Sequence, residues 1–295
     1  MPQIAFLFLS IAKIYHESYW KAFFKGYEQF YSIYVHAKNL MPSDSYFKQY
    51  EIHNKIPTTW ANTMRAQIEL LREALKDPHN QKFVFISEST IPLQNFQTVY
   101  DKLMLNNLSQ FAFAKNPFTN NEDRNLLPLP LDEQYFNFQW IILNREHAQL
   151  MVDDREYIEI ITKYMCDNEH YPSTLLAAKG LLHEITQQDT TLVLWPEEGG
   201  YHPYFFHGFL DKMEFAVVTQ GIKDGWLFAR KFGTDCDLTS IDSYLAYREK
   251  FDMQSMKNLF DETTSNVLSS QMPHICKRCT IASMPFQIFF PSGIQ

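Results

Sequence analysis

Two adjacent cations, Arg230 and Lys231, close the apolar run Trp226-Leu227-Phe228-Ala229, and Phe232 follows them. A strand that delivers fixed positive charge at its carboxyl end is suited to holding a phosphate group, although such a pair also suits an ordinary solvated surface. Glu169 stands in Asn168-Glu169-His170-Tyr171, just ahead of an expected helix, where the backbone dipole steadies a carboxylate. That position serves either a helix cap or a positioned proton acceptor, and spacing alone leaves both open. Asp235-Cys236-Asp237 has the letters of a metal-binding pair but stands beyond the last expected strand, where helix capping accounts for it. Cys276-Lys277-Arg278-Cys279, with His274 nearby, lacks the second pair of ligands that a zinc site needs, so these read as ordinary thiols. No G-x-S-x-G, P-loop or G-x-G-x-x-G occurs, which leaves hydrolase, NTPase and dinucleotide-binding readings without support.

The elements that would position these residues alternate between strand and helix. Residues 4–9, 31–36, 82–87, 110–114, 134–143, 191–195 and 226–230 read as strands, being short, apolar and rich in β-formers. Helical spacing appears over residues 18–30, 59–76, 95–105, 145–163, 171–179 and 206–221, with Thr58 or Thr59 as the cap of the second. This alternation predicts a mostly parallel sheet with helices on its faces. Residues 116–132 form a long polar loop with three prolines, of the kind that is more often functional than idle. Beyond Leu238 the pattern turns helical and polar. The expected division is an α/β domain over residues 1–250 and a tail of unclear structure over 251–295.

The chain has 295 residues, 45% of them hydrophobic and 16% aromatic, enough to bury a large core. A formal net charge of −8 argues against a nucleic-acid partner and against electrostatic docking on anionic lipid. Ile4-Ala5-Phe6-Leu7-Phe8-Leu9 is too short to span a bilayer and lacks a cationic segment before it, so neither an anchor nor a signal peptide is expected. Four cysteines are too few for a disulfide scaffold, which makes the cytoplasm the default compartment and leaves peripheral membrane association open.

Four segments in order carry a family resemblance: Trp60 with its helix leading into Phe85-Ile86-Ser87-Glu88-Ser89-Thr90-Ile91-Pro92; Asn168-Glu169-His170-Tyr171; Trp195-Pro196-Glu197-Glu198-Gly199-Gly200-Tyr201-His202-Pro203; and Phe228-Ala229-Arg230-Lys231-Phe232. From Ile4 to about Leu238 the chain resembles the Core-2/I-branching enzymes, β-1,6-N-acetylglucosaminyltransferases, particularly the plant and microbial members. The resemblance implies a GT-A glycosyltransferase fold. It also implies inverting, metal-independent transfer of a sugar, N-acetylglucosamine before others, from a UDP donor to a hydroxyl of an acceptor glycan, with no cofactor. Protein xylosyltransferases share a similar Phe-Ala-Arg-Lys-Phe run, so xylosyl transfer is the nearest variant, and a catalytically silent sugar-nucleotide or glycan binder is the rival from another class.

Residue by residue, the resemblance makes Glu169 the catalytic base and places Lys231 on the diphosphate, with Arg230 beside it. His36, at the end of the second strand, falls where relatives contact the nucleotide. Trp195 and Glu197 fall on the acceptor-side loop, and Trp60 and Glu88 join them as acceptor-side candidates. This chain has Asn168 where relatives often carry Asp. It also lacks an arginine that the animal enzymes place before the last strand, for which His202, Lys223 or Arg230 are the available substitutes. The position where metal-dependent sugar transferases carry Asp-x-Asp holds Ser87-Glu88-Ser89-Thr90 instead.

Overall fold

The computed structural model describes residues 1–115, 128–196 and 202–250. Glu197, most of the expected polar loop, the tail 251–295 and the Cys276/Cys279 pair lie outside the described residues. The chain forms two compact units: one from Met1–Glu88 and Phe96–Thr190, the other from Ser89–Asn95 and the chain from Thr191 onward.

The larger unit is built on a six-stranded, mostly parallel sheet. Its order is Tyr31–Ala37, Gln3–Ser10, Asn80–Ser87, Ile142–Asn144, Ser109–Gln110, Ile185–Thr186. The first three strands are mutually parallel, Ile142–Asn144 runs antiparallel to both its neighbours, and Ile185–Thr186 is again parallel to Ser109–Gln110. The unbroken apolar run of the first strand is what a parallel strand covered on both faces requires. On one face Phe6 and Phe8 meet Trp20, Phe23 and Phe24 of the Glu17–Phe24 helix, with Phe6 also reaching Phe96, mostly edge-on. On the other, Ala5, Leu7, Phe83 and Phe85 join a core with Met64, Ile68 and Leu71, reached also by Met151 and Leu175. Alternation along one strand thus feeds two separate helical layers.

Several boundaries differ from the sequence expectation. The first helix stops at Phe24, because Gly26 turns the chain at φ 86. Residues 110–114 divide between Ser109–Gln110 in the main sheet and Phe113–Lys115, which pairs with Tyr135–Asn137 in a separate two-stranded ribbon. The expected strand 134–143 is likewise split, its halves Tyr135–Asn137 and Ile142–Asn144 serving different sheets. A pattern of apolar residues marks burial but not which sheet buries them.

The smaller unit holds a three-stranded sheet ordered Thr191–Val193, Phe228–Arg230, Ile91–Pro92. Its helix is Lys212–Asp224, starting six residues later than expected. Asp211 caps it by accepting from Met213 N–H and Glu214 N–H while Glu214 returns a bond to Asp211 N–H. The stretch before it extends beside the strand end instead, with Phe206 bridging to Phe232 and Phe209 to Asp237. Gly221 lets this helix lie close on the sheet, since a Cβ there would come within 2.6 Å of Leu192 Cδ2. Among the described residues, no helix is long and apolar enough to cross a membrane.

Candidate active site

The Asp167–Ala178 helix places Glu169 differently from the sequence expectation: inside its first turn, not ahead of it. The helix begins four residues early because Pro172 is accommodated within it. The missing proline N–H leaves Asn168 O unserved by the helix, and Asn137 Nδ2 donates to that oxygen at 3.4 Å. Asn137 Oδ1 in turn accepts from Ser173 N–H and Ser173 Oγ. Nearly every side chain of this helix is buried, but Glu169 is only half-buried. The positive end of the helix dipole favours its carboxylate. The Cys166 thiol hydrogen-bonds to Glu169, and burial first, then the charges of Glu169 and Asp167, push that thiol up to about 12. It therefore stays protonated and donates.

Asp167, which the sequence reading did not single out, fastens the next piece of the site. Its Oδ1 accepts from Thr63 N–H at 2.9 Å and Met64 N–H at 3.1 Å, capping the Met64–Ala74 helix from a distant part of the chain. Thr63 is the N-cap residue, in place of the expected Thr58 or Thr59, and supplies no side-chain cap of its own. Asp167 N–H returns a bond to Ala61 O at 3.2 Å. Asn62 Nδ2 donates to Thr162 O and Tyr164 O, fixing the same turn from its other side. Between these ties sits Trp60, 59% exposed, on a turn closed by mutual backbone bonds between Thr59 and Asn62. An exposed indole and a half-buried carboxylate are thus carried on one clamped piece of structure. Burial raises Asp167 to about 6, against the pull of its backbone donors.

His170, next in sequence, packs edge-on to Phe136 and bonds Tyr135 O through Nδ1 at 3.1 Å. Burial brings it down to about 4, so the ring is neutral at neutral pH with its proton on Nδ1.

The carboxyl ends of the parallel strands carry the other candidates of this unit. His36 is the last-but-one residue of its strand and is fully buried, its Nε2 accepting from Ile56 N–H at 3.0 Å. Burial lowers its pKa and keeps the ring neutral. Its ring has no surface with which to touch a ligand, so any part it takes in binding runs through the Ile56 segment it holds. Glu88 follows the third strand, half-buried, its carbonyl accepting from Tyr15 N–H at 2.8 Å.

In the smaller unit, Arg230 ends its strand opposite Val193, and the Arg230–Lys231 peptide is cis. Both cations are half-buried. Trp195, 39% exposed, follows the neighbouring strand, and Tyr204 N–H bonds to Leu194 O beside it. The structure therefore brings Trp195 and the Arg230-Lys231 pair to the same edge of one small sheet. His202 and Lys223 are exposed, the latter in the last turn of the Lys212–Asp224 helix. Asp237 Oδ1 accepts from Thr239 N–H and caps the Thr239–Lys250 helix, whereas Asp235 pairs with His207. No cluster of three or more metal-ligating side chains occurs among the described residues.

A family model described as Core-2/I-branching enzyme matches residues 4–216, and the chain belongs to that family of glycosyltransferases. Its α/β architecture, with a mostly parallel six-stranded sheet flanked by helices, is the GT-A-type fold expected of such enzymes. The chain is 29% identical over 244 residues to a protein of Oryza sativa subsp. japonica named Glycosyltransferase BC10, the match covering 68% of this chain and 61% of that protein. Among solved structures, that of A197 from STIV shares 10% identity over 52% of this chain and 69% of its own, at a TM-score of 0.26, too low to bear on the fold.

Proposed function

We propose that this protein transfers a sugar, N-acetylglucosamine before others, from its UDP donor to a hydroxyl of an acceptor glycan, with inversion and without a metal ion. The observation that carries the reading is the clamp around Asp167, which holds the exposed Trp60 turn against the first turn of the helix bearing Glu169. Family membership supports glycosyl transfer, and the clamp supplies what such a transfer needs from the protein. Trp60 offers a flat apolar face to a sugar ring, and Glu169 offers a carboxylate steadied by a helix start.

In the reaction, Glu169 takes the proton from the acceptor hydroxyl as that oxygen forms its bond to the anomeric carbon. The bond from that carbon to the diphosphate breaks, and its electron pair leaves with UDP. Lys231, assisted by Arg230, neutralises the charge that grows on the leaving group. Trp195, Glu197 and Glu88 are the further residues assigned to the acceptor.

A panel of UDP-sugars assayed for UDP release, with and without glycan acceptors and with EDTA present, tests the reading. UDP-N-acetylglucosamine should support acceptor-dependent release that survives chelation. Release from UDP-xylose alone would move the donor assignment, and binding without turnover of any donor would make the protein a silent binder. Loss on chelation with recovery in manganese would overturn metal independence and bring Glu88, Asp235 or Asp237 forward as ligands.

A further inference from the structure

Lys231 is a long, flexible side chain asked to meet a diphosphate at a defined place, and the structure surrounds it with a group of residues to which the transfer reaction gives no task. Its Nζ lies 5.3 Å from the centre of the Phe205 ring. The same ring stacks on His207, with centroids 4.7 Å apart and planes 26° from parallel. His207 Nδ1 is held by Asp235, at 3.0 Å from one carboxylate oxygen and 3.3 Å from the other. Beneath them is Gly233. A Cβ there would stand 2.5 Å from Asp235 Oδ1 and 3.0 Å from both His207 Nδ1 and Phe205 Cε1, so three side chains close over the one residue that has none.

The backbone fixes this ledge to the strand end that carries Lys231. Phe206 N–H donates to Lys231 O and Gly233 N–H to Phe206 O, each at 2.8 Å, and Phe206 stacks on Phe232 at 4.5 Å. Asp237 N–H donates to Gly208 O at 2.6 Å, one residue beyond His207.

We infer that Phe205, backed by the His207–Asp235 pair and seated over Gly233, is a positioning group that holds the Lys231 ammonium where the donor diphosphate docks. A lysine free to roam surrenders its rotamer entropy when it grips a phosphate, and one already resting on a ring surrenders less. An aromatic face orients a cation without cancelling its charge, as a carboxylate would. The Asp235 carboxylate is turned to the imidazole, and the imidazole stiffens the ring. The inference rests on the reading of Lys231 as the diphosphate cation, and the test separates the two.

Isothermal titration with UDP and with uridine is run on the parent, Lys231→Ala, Phe205→Leu, Phe205→Tyr, His207→Ala and Gly233→Ala, with a thermal melt of each. The exposed His207 keeps the test usable where a change at Phe205 or Gly233 compromises folding. Phe205→Leu should weaken UDP by about two- to five-fold, the value of an exposed cation–π contact, while uridine is unaffected. Phe205→Tyr should restore the parent affinity, and His207→Ala and Gly233→Ala should shift UDP in the same direction as Phe205→Leu. If Lys231→Ala leaves UDP unchanged, the diphosphate reading falls and this inference with it. If Lys231→Ala weakens UDP but Phe205→Leu and His207→Ala do not, or if they weaken uridine equally, the positioning role is overturned and the Lys231 reading stands.

Discussion

Glu169 stands in the first turn of a buried helix, half-exposed, with the Cys166 thiol donating to it and its own N–H bonded to Cys166 O at 2.8 Å. If it is the proton acceptor, replacing it with Gln keeps the side chain's size and its place on the helix and removes only basicity. Glu169→Gln should leave UDP affinity near the parent value and cut kcat by about 100-fold or more. Turnover within a few-fold of the parent would make Glu169 a helix-start carboxylate and nothing else. At this scale the sequence offers candidates where they sit in a contiguous motif, as with Glu169 and the Arg230-Lys231 pair. It was silent on Asp167, whose partners at Thr63 and Met64 lie about a hundred positions away. It was silent too on the Phe205–His207–Asp235 stack, which exists only because the chain doubles back beside the last strand. His36 shows the converse: strand-end position suggested ligand contact, but only the fold reveals that the ring is sealed.

Helix starts are where the elements of this protein were hardest to read. Lys212–Asp224 has a legible beginning in Asp211-Lys212-Met213-Glu214, yet the aromatic run before it shares helical spacing and hides the cap. The strands Gln3–Ser10, Tyr31–Ala37 and Asn80–Ser87 were legible because continuous apolar runs have one good use in a doubly covered sheet. Met64–Ala74 owes its cap to Asp167, and that arrangement has a measurable signature. Burial raises Asp167 from 3.8 to about 6, so the folded protein binds this proton more readily than the unfolded chain. Its contribution to stability is full below about pH 4 and is lost as pH rises through about 6. A shift of about two units corresponds to about 3 kcal/mol. Asp167→Asn keeps an oxygen for Thr63 and Met64 N–H without the buried charge. Urea unfolding at several pH values should therefore show the stability of the Asn variant, relative to the parent, rising by up to about 3 kcal/mol from pH 4 to pH 7. A difference that stays constant with pH would mean that Asp167 is not carrying that titration.

At the scale of the whole molecule, the family match covers residues 4–216 and so takes in the larger unit and part of the smaller, while the Phe-Ala-Arg-Lys-Phe run lies beyond its end. The match to the rice relative extends over 61% of that protein's length, so donor, acceptor and stereochemistry are matters for this chain's own chemistry. If Glu169 is the one proton acceptor of a single displacement, the anomeric centre must invert. Proton NMR of the glycoside formed from α-linked UDP-N-acetylglucosamine reads this directly, because the new linkage fixes the anomer. The expected product is β-linked, recognised by the large coupling between its axial H1 and H2. An α-linked product would require a second displacement or a different ion-pair chemistry, and would contradict the role given to Glu169.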